Sequence, residues 1–141
     1  MTFEELDREL PNGFHDAILL SLVVDYVAGT AQLKINLLVG GPEDADPEEY
    51  RAAILRITGV QFCSIDPPDP TYRFVPNGSP LRISGDLARL DHLPELDRLM
   101  AKVPKDVSCF RFFVSQWNSF IHLAARDVQF AWSEPRGSGA V

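Results

Sequence analysis

Apolar and polar residues alternate along most of the chain, which is the pattern of half-buried β-strands. The clearest case runs from Ala31 to Val39, where every second position is apolar and Gln32, Lys34 and Asn36 lie between. About six to eight strands are predicted. The other predicted strands are Phe14–Val27, Arg51–Ile65, Tyr72–Val75, Leu81–Ser84, Val107–Val114 and Phe120–Trp132.

The alternation is interrupted at two places within the longer strands. Gly59 interrupts the predicted strand Arg51–Ile65, which predicts a bulge or bend at that residue. In the last strand the inward parity slips between Ala125 and Val128, which predicts a second bulge near Arg126 and Asp127. The turn signal Asn77-Gly78, flanked by prolines, predicts a short hairpin at the edge of the sheet.

Helical spacing appears in two short segments. Thr2–Leu10 has an apolar stripe, with Thr2 and Glu5 at capping-box spacing, and Pro11-Asn12-Gly13 ends it. Asp91–Met100 is the second segment. Because short turns join the strands, we expect antiparallel pairing. The predicted class is α+β, mostly β: a twisted antiparallel sheet or β-sandwich with a short N-terminal helix and one further short helix. Residues 1–133 form one domain in this prediction, and 134–141 form a flexible tail.

The charge of the chain narrows the classes of partner. The net charge is −7 and no Lys/Arg cluster occurs, which argues against binding to nucleic acid or to an anionic membrane. A basic protein partner would be steered toward this surface, although acidic charge also simply keeps a protein soluble. The polar N-terminus and the two well-separated cysteines, Cys63 and Cys109, indicate a cytoplasmic protein with reduced thiols.

His15 and Asp16, in Gly13–Ala17, are the first candidate site residues. Neighbouring residues on a strand point to opposite faces, so strand geometry predicts that they do not act as a dyad. That objection is weaker if Gly13 and Phe14 still belong to a turn. The structural interpretation is that Asp16 accepts backbone N–H groups at the turn while His15 packs beside the helix.

Trp117–Asp127 is the second candidate segment, because polar, aromatic and charged residues are dense in it. The predicted bulge would redirect Arg126 and Asp127, and bulges often lie beside functional sites. The structural interpretation is an Arg126–Asp127 ion pair at a strand kink and a turn built by Trp117 and Asn118. The candidate binding residues are therefore His15, Asp16, Trp117, Asn118, His122, Arg126 and Asp127.

Known catalytic and cofactor patterns find little support in the sequence. The three histidines, His15, His92 and His122, are not closely spaced, so no metal site is predicted. There is no Gly-x-Ser-x-Gly elbow, P-loop or Gly-x-Gly-x-x-Gly pattern. The apolar neighbours of both cysteines argue against a reactive thiol. We therefore assign no catalytic residue and expect no cofactor.

The Phe14-His15-Asp16-Ala17 opening and the Trp117–Asp127 segment resemble parts of small bacterial domains of unknown function. Among these, the chain resembles immunity-protein-like families of toxin–immunity loci, which start with a Phe-His-Asp motif on the first long strand and end with an aromatic strand. The resemblance covers these two stretches and the order of the hairpins between them. It implies a non-enzymatic cytoplasmic protein that binds one partner, such as a toxin domain.

Three functional hypotheses follow from the sequence. The first is a protein-binding domain without catalysis. The second is an enzyme or small-molecule pocket that uses His15, Asp16, His122 and Asp127, which requires those side chains to converge in one cleft. The third is a homodimer formed through an aromatic sheet face or edge, since five aromatic residues lie between Phe110 and Phe120.

Overall fold

A computed structural model describes residues 1–72, 76–86 and 94–133 and confirms the predicted α+β, mostly β class. One antiparallel sheet contains eight strands, and two short α-helices accompany it. The predicted strand 72–75 is described only at Tyr72; residues 91–93 of the second predicted helix, with His92, and the predicted tail 134–141 lie outside the described residues. In chain order the elements are α1 (Phe3–Glu9), β1 (Ala17–Asp25), β2 (Thr30–Leu38), β3 (Tyr50–Thr58), β4 (Phe62–Ile65), β5 (Leu81–Asp86), α2 (Pro94–Met100), β6 (Ser108–Val114), a 3-10 turn (Ser115–Trp117), β7 (Ser119–Ala125) and β8 (Asp127–Trp132).

The strand order is β4-β7-β6-β5-β1-β2-β3-β8. Strand β3 continues into β4 through residues 59–61, and β7 continues into β8 through Arg126. These two breaks face each other, since the N–H of Arg126 donates to the carbonyls of Thr58 and Gly59, both at 3.2 Å. Gly59 has φ +63°, a left-handed conformation that favours glycine. Both predicted interruptions therefore mark one bend, at which β3 and β8, at one end of the strand order, join β4 and β7, at the other end.

A cluster of four phenylalanines forms the centre of that core. Phe3 of α1 and Phe14 of the following turn pack against Phe110 and Phe112 of β6, with ring centroids 4.8 to 6.3 Å apart. Aliphatic residues from β2, β3 and β5 complete the cluster, and Leu6 of α1 is almost fully buried in it. The N-terminal helix therefore covers one region of the inner face.

The helix α1 begins as its sequence predicts. Thr2 accepts a hydrogen bond from the N–H of Glu5 at 3.1 Å, and its hydroxyl donates to the Glu5 carboxylate at 3.2 Å. After Leu10 the chain turns, and the N–H of Phe14 donates to the Asp7 carboxylate at 2.8 Å. This bond fixes Phe14 against the helix that it follows.

Two predictions about strands were wrong, and one bulge was not predicted. Strand β1 begins at Ala17 rather than at Phe14, because residues 14–16 belong to the turn after α1. The register of β1 with β2 shifts between Leu19 and Ser21, which is a bulge that the apolar run of β1 conceals. Strand β5 is interior, between β1 and β6, because Pro80 precedes the strand and so removes no ladder donor from it.

Candidate interaction surface

The β1–β2 hairpin ends in an apolar tip, defined here as Val23–Val27. Tyr26 and Val27 are 94% and 98% exposed, and Val23 and Val24 are 61% and 40% exposed. The tip residues lie on both faces of the hairpin, since Val23 pairs with Gln32 and Val24 pairs with Ala31. Four exposed apolar residues therefore lie at this end of the hairpin, with Val23 and Val24 on opposite faces.

Two hydrogen bonds hold the tip in place. The carboxylate of Asp25 accepts the N–H of Ala28 at 3.0 Å and closes the turn. The carbonyl of Gly29 accepts the N–H of Val60 at 2.9 Å, which joins the hairpin to the bend between β3 and β4. The exposed side chains are thus presented on an anchored turn.

An apolar groove of about 350 Å³ lies between the tip and β4. Val24 and Tyr26 line one side, and Phe62 and Cys63 line the other. Val60 also lines the groove and packs partly against the main core. The tip and this groove form one continuous apolar surface with a single charged residue in its lining, Asp25.

A larger groove, of about 550 Å³, lies on the other side of the tip, and more of its lining residues are polar. It runs across the outer face of β1, β2, β3 and β8, where Val23, Gln32, Arg56 and Gln129 form one cross-strand row. Lys34 adds a second cation. Its lining contains neither histidine nor cysteine, so its side chains are suited to hydrogen bonding and to anion attraction.

The structure brings His15 and Asp16 together, contrary to the prediction from strand geometry. His15 Nε2 lies 3.2 Å from Asp16 Oδ2, and Arg82 Nη1 lies 3.8 Å from Asp16 Oδ1. Neighbouring side chains meet because these residues are in a turn, where Asp16 has φ +54°. The His15 side chain is 72% exposed and does not pack beside the helix, and Asp7 is the carboxylate that receives the turn N–H.

His122 lies in a second, separate environment. Its side chain is buried on the outer face of β7, and its Nε2 has no hydrogen-bond partner among the described residues. Burial is the main cause that lowers the pKa of His122; Asp66 opposes this shift, and the cationic Arg111 adds to it. The imidazole is therefore neutral at pH 7, and its cross-strand neighbour Arg111 places its guanidinium 4.5 Å from the Phe120 ring.

The remaining candidates hold the fold in place. Trp117 ends the 3-10 turn and Asn118 follows it with φ 44°, which confirms the predicted turn. Asn118 donates to the Asp69 carboxylate at 2.9 Å. The predicted ion pair between Arg126 and Asp127 was wrong: Arg126 pairs with Asp106, and Asp127 pairs with the amino group of Met1. The residues differ in partner because they flank the bend and point to different segments.

The four residues of the pocket hypothesis do not converge. Arg82, which contacts Asp16, lies four residues along β5 from the cross-strand row that contains His122. The rise per residue along a strand and the spacing between strands place Arg82 and His122 about 16 Å apart. Asp127 follows His122 by five residues along the chain, but it lies beyond the bend at Arg126 and pairs with the amino group of Met1. A cleft formed by these residues is therefore absent from the described part of the chain.

The thiols are poor nucleophiles in this structure. Both cysteines are free and partly buried. Burial raises the pKa of Cys109 to about 11 and also raises the pKa of Cys63. Residues 1–72, 76–86 and 94–133 hold no group of three metal-binding side chains, and neither of their helices is long and apolar enough to cross a membrane.

Sequence reasoning missed the tip as a surface. The strand predicted over Phe14–Val27 includes Tyr26 and Val27, whereas in the structure the turn begins directly after Asp25. The sequence signal for a four-residue turn here was the presence of Asp25 directly before it and of Gly29 at its last position.

No protein-family profile matches the chain, and no curated protein and no solved structure shows significant similarity to it.

Proposed function

We propose that the protein is a cytoplasmic protein-binding domain that contacts its partner through the β1–β2 tip. The observation that carries this proposal is the near-complete exposure of Tyr26 and Val27 beside an apolar groove. Tyrosine is enriched among the residues that dominate binding energy, because its rigid ring buries a large area at a small entropic cost. Burying each valine contributes about 1.5–3 kcal/mol before the costs of association.

A basic partner is favoured by the charge of the whole molecule. The net charge is −7, and the exposed loop that joins β2 to β3 carries Glu43, Asp44 and Asp46. Such a field accelerates encounter with a positively charged protein, while the exposed apolar side chains of the tip supply the buried contact. The resemblance to immunity-protein-like families implies the same mode of action, with a toxin domain as the partner.

A comparative pull-down tests this proposal. The wild-type protein, a Tyr26→Ser/Val27→Ser variant and a Leu20→Ser control are used as bait in lysate from the cells that make the protein. Leu20 is 46% exposed but lies outside the tip. Since a central tyrosine contributes at least about 2 kcal/mol, we expect the tip variant to bind the captured partner at least about tenfold more weakly.

The control variant should bind as the wild-type protein does. All three proteins are first compared by thermal unfolding, because the replaced side chains are exposed and should leave stability unchanged. Equal capture by the tip variant would refute the proposed contact. Recovery of no partner, together with turnover of a small molecule, would refute the proposed class of function.

A further inference from the structure

The groove of about 550 Å³ on the outer face of the sheet, here called the outer groove, carries uncommitted polar side chains. Its volume lies within the range of about 300–1,000 Å³ that is typical of ligand pockets. The side chains of Gln32, Lys34, Arg56 and Gln129 take part in no hydrogen bond or ion pair within residues 1–72, 76–86 and 94–133. Four polar groups of the groove are therefore available to a ligand.

Two cations lie side by side in the outer groove. Gln32 of β2 pairs with Arg56 of β3, and Lys34 follows Gln32 by two residues on the same face. Lys34 and Arg56 are therefore diagonal neighbours, about 7–8 Å apart along the sheet. Their long side chains reach a common point above the strands, where like charges repel each other. An anion bound between them replaces this repulsion with attraction.

The acidic residues of the chain do not cancel these two cations. The acidic loop between β2 and β3 begins after Leu38, about 13 Å from Lys34 along the strand, and the Debye length is about 8 Å at physiological ionic strength. On β8, the carboxylate of Asp127 is paired with the amino group of Met1. Among the described residues that line the groove, Asp25 is the one carboxylate against two cations.

Hydroxyl and amide groups adjoin the cations. Thr30 and Thr58 lie about 7 Å from the cross-strand row of Arg56, on the side of the hairpin tip. Asp25 pairs with Thr30, and Gln129 pairs with Arg56. These side chains both donate and accept hydrogen bonds, apart from the carboxylate, which accepts them. They are therefore suited to the hydroxyl groups of a ligand whose acidic group lies on the cations.

We propose that the outer groove binds a small hydroxylated organic anion, of the class of the sugar phosphates and sugar acids. Lys34 and Arg56 hold its phosphate or carboxylate, since charge-assisted hydrogen bonds to such groups are the strongest available here. Gln129 and the two threonines contact its hydroxyls. This site is additional to the proposed partner contact at Tyr26 and Val27 and does not depend on it.

Isothermal titration calorimetry of the full chain at constant ionic strength tests the proposal. The probes are glucose 6-phosphate, gluconate, inorganic phosphate and glucose. Because Lys34 and Arg56 are exposed, we expect a dissociation constant of about 0.1–1 mM for glucose 6-phosphate, for gluconate or for both. Binding of one and not the other identifies the acidic group that the site prefers. Inorganic phosphate should bind at least about tenfold more weakly, and glucose should show no binding up to about 10 mM.

Three variants locate the site. Lys34→Gln and Arg56→Gln each remove one cation of the groove and should weaken binding of the hydroxylated anion at least about fivefold. Arg51→Gln is the matched control, because it lies on the same strand as Arg56 and changes the net charge equally, but it points to the opposite face. This control should bind as the wild-type protein does. All three replaced side chains are exposed, and thermal unfolding checks that stability is unchanged.

Nuclear magnetic resonance of ¹⁵N-labelled protein gives a second readout, because the side-chain amide signals of Gln32 and Gln129 should shift as the probe binds. Saturable binding that both groove variants weaken, and that Arg51→Gln does not, supports the proposal. The proposal is overturned if neither hydroxylated anion binds up to about 10 mM, or if inorganic phosphate binds equally well. Binding that neither groove variant weakens, or that all three variants weaken equally, also overturns it. The Tyr26→Ser/Val27→Ser variant should bind the probes as the wild-type protein does, which separates this site from the tip.

Discussion

Replacing Phe14 with alanine tests whether the Gly13–Ala17 stretch serves the core. Phe14 is fully buried, and its ring lies 5.2 to 6.3 Å from the centroids of Phe3, Phe110 and Phe112. Deleting a buried phenylalanine side chain costs about 3–5 kcal/mol. Against a total stability of about 5–15 kcal/mol, this loss removes a large part of the folding free energy.

Urea denaturation followed by tryptophan fluorescence measures the loss. At about 2–4 °C per kcal/mol, Phe14→Ala should also lower the melting temperature by about 6–20 °C. Phe14→Leu keeps more of the volume and should cost about 1–2 kcal/mol. The neighbouring His15→Ala change removes an exposed side chain and should alter the free energy of unfolding by less than about 0.5 kcal/mol.

Two results would refute this reasoning. A loss below about 1 kcal/mol for Phe14→Ala would mean that the four rings do not form the packed centre of the core. A loss for His15→Ala as large as that for Phe14→Ala would mean that the histidine carries a structural role that its exposure does not show.

Three further predictions concern other parts of the fold. Burial lowers the pKa of His122, so the unfolded chain binds a proton at a higher pH than the folded chain does. The free energy of unfolding should therefore fall as the pH decreases below about 6.5. Urea titrations of His122→Gln should show a smaller fall in that free energy between about pH 7 and 5.5 than the wild-type protein shows. Gly59→Ala should lower the free energy of unfolding by about 1–3 kcal/mol in the same assay, because the added Cβ would lie 2.8 Å from the Arg126 side chain. Gly29→Ala is the control: this glycine has φ +67° but open space around it, so the loss should be smaller. Equal losses for the two variants would contradict the steric argument. Asp106→Asn should cost less than about 1 kcal/mol, because its ion pair with Arg126 is exposed, and high salt should reduce the difference further.

Strands with one buried face and one solvent-exposed face could be predicted from the sequence. Strand β2 shows this best: Ala31, Leu33, Ile35 and Leu37 are buried, and the residues between them are not. The bend was predictable for a related reason, since a change of parity has no other simple cause than an inserted residue. Both signals come from period-two burial.

The bulge in β1 could not be predicted from alternation. Its segment Ala17–Val24 is apolar on both faces, apart from Ser21, so shifting the parity by one residue leaves the pattern equally apolar. In the structure the shift exposes Leu20 and directs Leu22 and Val24 toward the face of Leu33. Tertiary pairing with β2 decides the register there.

The candidate site residues depended on where strands begin. His15 and Asp16 meet because three residues assigned to a strand belong to a turn, and element boundaries are the least certain part of a sequence reading. The convergence of His122 with Asp16 or Asp127 depends on pairings between distant strands, which local spacing does not encode. Sequence could therefore propose these residues but not bring them together.

Some residues of the β1–β2 turn are required for folding, and others are not. Asp25 closes the hairpin turn and Gly29 supplies the left-handed residue and the bond to Val60, so the turn is complete without any contribution from the two side chains between. Tyr26 and Val27 bury almost no area within the chain. Polar residues would serve the same turn with less exposed apolar surface. The fold therefore does not require an apolar pair at this position, which supports the proposed contact with a partner.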